Sequence, residues 1–300
     1  MQYLKIYHSK YGILVDDFIE KTFSWDLDSY YLHNNKHGLP YNKDWIGFLH
    51  NPPNVPDWFY KYHHPESILG RELFQISLQK CKCIVTLSDY LKNWLSNKVD
   101  VPIISVKHPT GYPNLYWNYR KFINGSKKIL QLGYWLRDFD AICRLKTPNG
   151  YVKYLMPSDH ATYNHLAKIR EACSSESPHE VKNKWSNTTI LSKLSNDEFD
   201  TLLSNSIVYL KLYDSSANNA IIECVARNTP IIVNPIPPVI EYLGPNYPLY
   251  AETEEVGTSI LYDIEKIYRA HTYLKNMNKE WLDGRFFAHD VYKKVNECLM

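Results

Sequence analysis

Residues 209–241, YLKLYDSSANNAIIECVARNTPIIVNPIPPVIE, restrict the fold more than any other stretch of this chain. Residues 209–213 are a short apolar run of the kind that ends a buried strand. Asp, Ser and Asn dominate residues 214–219, and these residue types cap helices and hold tight turns. Residues 220–227 are helical in composition and apolar nearly all round, which predicts a buried helix. Asn228-Thr229-Pro230 stops it, and residues 231–233 are a continuous apolar run like those of central parallel strands. Strand, polar loop, helix, turn, strand is a βαβ unit. In sheets built this way, ligands bind where strands end and helices begin, with anions at a helix N-terminus.

Other segments repeat the pattern. Strand-like runs fall at residues 3–7, 45–49, 83–87 and 102–106, with helical stretches at 66–79 and 89–96. Further strands are expected at 128–133, 151–155, 188–191 and 207–213. Residues 196–204 read as an amphipathic helix with Phe199, Leu202 and Leu203 on one side; 258–275 and 281–297 read as helices too. Residues 11–41, rich in aromatics and Asp, carry no assignable element. Alternating strands and helices predict parallel α/β sheets. Residues 107–127 hold Pro109, Gly111, Pro113 and Gly125 without sustained periodicity, and read as the linker between two domains.

Composition excludes several classes of function. Thirty-four basic against 32 acidic residues leave a net charge of +2, too little to argue for nucleic acid as a partner. No signal pattern opens the chain and no long uncharged apolar run interrupts it, so a cytoplasmic protein without a transmembrane segment is expected. Six cysteines in 300 residues do not make a disulfide framework, and the Cys81/Cys83 pair has no second pair to complete a zinc set. Reduced thiols are expected. Twenty-five tyrosines suit sugar-stacking surfaces, but an AT-rich coding sequence gives the same bias.

Glu223 is the one carboxylate inside the apolar helix of residues 220–227. A charge there needs a polar partner. Two are available: a ligand's hydroxyl pair, such as a ribose, or Arg227 at i+4.

Residues 214–241 resemble the nucleotide-binding segment of GT-B glycosyltransferases, most closely the retaining family 4 type. The family pattern runs Glu, seven residues, Glu, then a buried helix, a Gly-x-Pro turn and a strand. Glu223 matches the second Glu, which in the family holds the donor ribose, and Asn228-Thr229-Pro230 stands for the turn. The first Glu falls at Ser215, beside Asp214, which the resemblance makes the substitute near the transferred sugar. Two N-terminal landmarks follow in the family's order. GFLHNPP resembles the strand whose terminal His lines the sugar side, which marks His50, and residues 84–91 resemble the next strand leading into Ser and a helix. Pro52 and Pro53 end the first of these strands, and a purely structural His50 is the alternative. Ser88 is also a sound N-cap. The aromatics Trp58, Phe59, Tyr60 and Tyr62 with His63 and His64 form either an acceptor wall or an anchored loop.

In the second half, residues 128–133 (KILQLG) look like the family's first C-terminal strand, and a nearby cation contacts the donor diphosphate. Arg137 fills that role, since its planar fork bonds phosphate oxygens bidentately. Position 142, where a second cation is usual, is Ile, and Arg144 is the nearest. Ser216, Asn218 and Asn219 complete the donor set, and residues 191–194 match the base pocket.

The resemblance implies an α/β chain of two Rossmann-like domains facing across a cleft. Residues 1–115 would be the acceptor side, 116–280 the nucleotide-sugar side, and 281–300 a helix crossing back. It implies a glycosyltransferase (hexosyl or pentosyl) of glycan biosynthesis, retaining and without a metal or other cofactor, whose partners are a nucleotide-sugar donor and a glycan or other hydroxyl acceptor. Two alternatives stand beside it. One is a binding protein that has lost turnover. The other is a metal-dependent enzyme using Asp138-Phe139-Asp140 or Asp26-Leu27-Asp28, both DxD patterns.

Overall fold

The computed structural model describes residues 2–25, 38–56, 59, 64–157 and 187–299. The chain divides into two compact units. The first is Met1–Gly111, Asp214–Ala217 and Glu280–Met300; the second is Tyr112–Tyr213 and Asn218–Lys279.

The first unit is built on a parallel sheet of β1 (Leu14–Asp16), β2 (Trp45–Leu49), β3 (Cys81–Thr86) and β4 (Ile103–Ser105), in that spatial order. All five residues of β2 are buried, which is why it reads as an unbroken apolar run. Alternate side chains feed two cores. Trp45 and Leu49 pack with Ile19, Phe23 and Phe74, whereas Ile46 and Phe48 pack with Val85, Phe287 and Val291. Gly47 lies between them without a side chain because a Cβ there would come within 2.5 Å of the Trp45 ring and 2.7 Å of Ile19. The helix Gly284–Leu299 supplies Phe287, Val291 and Val295 to the second core. Each such side chain contributes about 1.5–3 kcal/mol on burial, enough to hold a helix of four turns in place.

The second unit has a five-stranded parallel sheet: β5 (Lys127–Leu132), β6 (Tyr151–Met156), β7 (Thr188–Ile190), β8 (Ser206–Leu210) and β9 (Ile231–Val233), in the order β7-β6-β5-β8-β9. The helix Asn219–Arg227 crosses from β8 to β9 and buries seven of its nine residues. Asn218 caps its start by accepting from the Ile221 N–H. Asn228 ends it in the left-handed conformation, at φ 59°, where the family pattern has Gly. Asn tolerates that conformation better than most residues because its short side chain bonds locally.

Four expectations are corrected. Residues 3–7 are not a strand but part of a 3-10 helix, Gln2–Tyr7. Leu4 and Tyr7, three apart, face inward, and the Tyr7 ring stacks on Tyr292 at 4.2 Å; the inward period is three and not two. The helix expected over 66–79 is two, Pro65–Leu69 and Glu72–Leu78, parted at Gly70. That over 258–275 is also two, Glu254–Tyr262 and Ile264–Asn276, because Asp263 leaves helical geometry to cap the Lys266 N–H. The expected linker holds a helix, Tyr119–Asn124, whose buried Phe122 packs on Trp117; the indole of Trp117 donates to the Ser206 carbonyl. Residues 14–25, whose sequence declares no element, hold β1 and a helical turn that passes into the π-turn Lys21–Trp25.

Candidate functional site

In the second unit the chain leaves β5 through two left-handed residues, Gly133 at φ 67° and Leu136 at φ 51°. Leu pays about 1–2 kcal/mol in that conformation. It is held there by burial of its side chain and by the Tyr213 N–H, which donates to its carbonyl at 2.9 Å. The turn delivers Arg137. One guanidinium nitrogen donates to the Trp135 carbonyl at 3.0 Å and another to Asn218 Oδ1 at 3.3 Å. Its Nε is buried with no hydrogen-bond partner, and no carboxylate pairs with it among the described residues. Burial pushes its pKa down to about 10. A Cβ at Gly133 would stand 2.8 Å from Arg137 Nη1, so the glycine leaves space for the guanidinium as well as making the turn. Asn218 joins this cation to the helix it caps, whose first N–H groups have no intrahelical acceptors. Asn219, the first helical residue, is exposed. The arrangement sets a half-buried cation, with no counter-ion among the described residues, beside a helix N-terminus, surroundings that favour an anion.

Glu223 makes the i,i+4 ion pair with Arg227 that the spacing allows. Arg227 also pairs with Asp200 on the helix Asn196–Ser204 and lies over the Phe199 ring at 5.3 Å. Arg227 and Asp200 are both buried, whereas the Glu223 side chain keeps 24% of its exposure. Arg227 thus has a buried carboxylate of its own, and Glu223 retains open surface. Leu191 and Leu194 line a pocket of about 390 Å³ with Lys128 and Tyr154.

In the first unit, the segments just past all four strands meet around one pocket of about 490 Å³. Asp17 and Phe18 follow β1, His50 follows β2, Leu87 follows β3, and His108 and Pro109 follow β4. Lys21 and Phe287 complete much of its wall. The Phe18 ring meets the His50 ring edge-on at 4.3 Å. Behind His50 is Glu20, fully buried, whose Oε1 accepts from the backbone N–H of His50 at 2.7 Å and of Asn51 at 2.5 Å. Nothing in the sequence pointed to Glu20. Its partners are backbone groups thirty residues away, invisible to spacing rules.

Asp214 and Ser216 belong to this first unit, whereas Arg137, Asn218, Asn219 and Glu223 belong to the second. Asp214 is buried; its Oδ2 accepts from the Asn54 N–H at 2.8 Å and the Tyr90 hydroxyl at 3.2 Å, and its Oδ1 from the Ser215 N–H at 2.8 Å. Burial raises its pKa against the pull of those hydrogen bonds. The Ser216 hydroxyl lies 2.9 Å from that of Ser88, which caps the helix Asp89–Leu95 as expected. His64 caps the helix Pro65–Leu69 and Phe59 is buried; Trp58, Tyr60, Tyr62 and His63 lie outside the described residues.

The acidic patterns take structural roles where they are described. Asp138 pairs with Arg144, which pairs with Glu254, which pairs with Lys211. That chain also occupies Arg144, the nearest second cation to Arg137. The Gln131 amide donates to the Asp138 and Phe139 carbonyls and pins the loop. Among the described residues no cluster of three or more His, Cys, Asp or Glu is placed to hold a metal. Asp26-Leu27-Asp28 lies outside them. Cys81, Cys83, Cys143, Cys224 and Cys298 are free thiols, and no described helix is long and apolar enough to cross a membrane.

Two parallel α/β units of this order constitute the fold of GT-B glycosyltransferases. Among solved structures, the chain is similar to a glycosyltransferase from Rickettsia africae at 14% identity, over 86% of this chain and 72% of that one, with a TM-score of 0.52. It is similar to HepE from Anabaena, solved with UDP, at 9% identity over 85% and 72% of the two chains, with a TM-score of 0.60. It is also similar to the pneumococcal O-GlcNAc transferase GtfA, solved with UDP and GlcNAc, at 10% identity, over 85% of this chain and 53% of that one, with a TM-score of 0.57. No family model matches the sequence, and no curated protein matches it.

Proposed function

We propose that this chain is a glycosyltransferase that moves a sugar from a nucleotide-sugar donor to a hydroxyl acceptor without a metal ion or other cofactor. Arg137 carries the reading. A half-buried guanidinium with a buried, unpartnered Nε, no carboxylate pairing with it among the described residues, and a helix N-terminus joined to it through Asn218 is suited to receive an anion, and a diphosphate matches its fork. In the reaction the bond from the sugar's anomeric carbon to the diphosphate oxygen breaks, and a bond from the acceptor hydroxyl oxygen to that carbon forms. The hydroxyl proton ends on the released nucleoside diphosphate. Arg137 and the N–H groups at the start of Asn219–Arg227 stabilise the departing charge, which is why no metal is needed. Glu223 accepts from the ribose hydroxyls, Ser216 and Asn219 line the donor, and His50 and Asp214 act on the sugar side. Residues 116–280 carry the donor and residues 1–115 the acceptor. Retention of configuration, and transfer of a hexose or pentose, follow from the family 4 resemblance.

A binding protein without turnover is the second reading, favoured by the three hydrogen bonds that already engage Asp214. The test is a thermal-shift panel of nucleoside diphosphates and their sugars, followed by assays of donor hydrolysis and transfer. UDP comes first because similar folds were solved with it. A ligand at a hundred times its Kd stabilises by about 2.7 kcal/mol, a measurable shift. Binding with turnover supports transfer, binding without turnover selects the second reading, and no response to any nucleotide overturns both.

A further inference from the structure

His50 and Glu20 form a unit whose chemistry goes beyond the position of His50 at a strand end. Oε1 of Glu20 is engaged by two backbone N–H groups, so the carboxylate cannot turn. Its Oε2 is buried with no hydrogen-bond partner among the described residues, and so is His50 Nδ1; the two atoms are 3.6 Å apart. A carboxylate only accepts hydrogen bonds, and a neutral imidazole carries its proton on one nitrogen. With the carboxylate ionised, two buried, otherwise unpartnered atoms this close satisfy each other when the imidazole proton is on Nδ1, with a small approach that apo sites commonly leave to ligand binding. The ring edge that carries Nε2 is then a hydrogen-bond acceptor. Since Nδ1 is sealed while the side chain keeps 28% of its exposure, that exposure lies on the rest of the ring.

We infer that Glu20 is a positioning residue that holds His50 as the Nδ1–H tautomer, presenting Nε2 as an acceptor to a hydroxyl of a carbohydrate bound in the 490 Å³ pocket. The volume lies inside the range of about 300–1,000 Å³ typical of small-molecule sites. Phe18 and Phe287 offer apolar faces for the C–H surfaces of a sugar, while Asp17, Lys21 and His108 offer polar groups for its other hydroxyls. The carbohydrate as occupant rests on the proposed transferase activity. The tautomer does not.

The experiment uses the full chain labelled with 15N-histidine and a long-range proton–nitrogen correlation spectrum, taken with the imidazoles neutral. Twelve histidines are present, and His50→Gln identifies the ring of interest by the peaks it removes. Wild type is expected to show His50 protonated at Nδ1. Glu20→Gln keeps an acceptor for the two backbone N–H groups but turns an NH2 donor toward the ring, and should move the proton to Nε2. A wild-type Nε2–H form overturns the inference, as does a folded Glu20→Gln with the tautomer unchanged; if Glu20→Gln does not fold, the wild-type tautomer decides alone. In donor hydrolysis and transfer, Glu20→Gln should lower kcat about tenfold to a hundredfold with the donor KM unchanged, the pattern of a misdirected group. A donor KM that rises instead, with kcat kept, overturns the role assigned to Nε2. If no donor is turned over even by wild type, the transferase reading fails while the tautomer spectrum still stands or falls by itself.

Discussion

His50 and Arg137 each sit just past the C-terminal end of a parallel strand, yet their surroundings treat charge in opposite ways. His50 in the first unit is backed by a fully buried carboxylate that is tied to the first two backbone N–H groups past the end of β2. Arg137 in the second unit has carbonyl and amide acceptors only, and no carboxylate among the described residues. A cation left without a counter-ion costs stability on burial and is retained where a ligand supplies the missing charge. The Glu20 carboxylate is met by two backbone N–H groups, and what remains open on the imidazole in front of it is a directed hydrogen-bonding edge. In the proposed reading the first arrangement directs a hydrogen-bonding edge and the second receives an anion.

The largest effect that separates the two is expected from Arg137→Met. Removing one member of a buried charge pair costs about 2–5 kcal/mol of binding, or about thirtyfold to several thousandfold in Kd for UDP by calorimetry. The unliganded variant should melt no lower than wild type, since an unpaired buried charge has gone. Lower stability with unchanged UDP affinity would reverse the assignment and make Arg137 a structural residue.

Glu20→Leu should show the opposite signature. It strands the His50 and Asn51 N–H groups, at about 1–3 kcal/mol each, so the fold should weaken in urea while UDP affinity stays within twofold or so of wild type. Equal stability would mean that those N–H groups find other acceptors.

Glu223→Ala sharpens the donor side. Loss of a hydrogen bond to a charged group, about 1.5–3 kcal/mol, predicts about tenfold to hundredfold weaker ribonucleotide binding and no remaining preference over the 2′,3′-dideoxy analogue. Arg227→Ala should instead act on the fold, because it leaves buried Asp200 without its partner. The ribose role is withdrawn if Glu223→Ala discriminates between the two nucleotides as wild type does.

The carboxylates of the two units should also respond to acid with opposite signs. Burial raises Asp214, so folding takes up its proton and its contribution grows more favourable as the pH falls toward its unfolded value. Burial pushes Glu254 up as well, but hydrogen bonds from Arg144 and Lys211 outweigh it and hold the group at about 2, below its ordinary 4.5. Its contribution is complete above the ordinary value and is lost as the pH falls toward the lower one. Urea midpoints across that range should show Glu254→Gln converging on wild type in acid, and Asp214→Asn losing whatever advantage it has at neutral pH. Parallel curves for both variants would remove the contrast.

The smallest expected effect is none. UDP binding should survive EDTA and Asp138→Asn if, as proposed, Arg137 and helix N–H groups meet the diphosphate. Loss of binding under both treatments would transfer the donor to the DxD loop.

Elements that bury themselves within a few residues were legible in the sequence. β2 and β9, and β8 after Ser206, read as apolar runs because both faces of a parallel sheet are covered, and the Asp-Ser-Asn loop before Asn219–Arg227 declares its turn and cap chemistry locally. Arg137 and Glu223 were nameable for the same reason, as polar exceptions placed against such elements. Tertiary structure decided the rest. The stretch 3–7 reads as a strand by composition and coils because a partner helix rewards a period of three. Glu20 shows nothing until the end of β2 brings two N–H groups to its carboxylate. That Arg137 lacks a counter-ion among the described residues is likewise a property of three dimensions: a sequence names every carboxylate in the chain, and only folding determines which of them come within reach of a given cation.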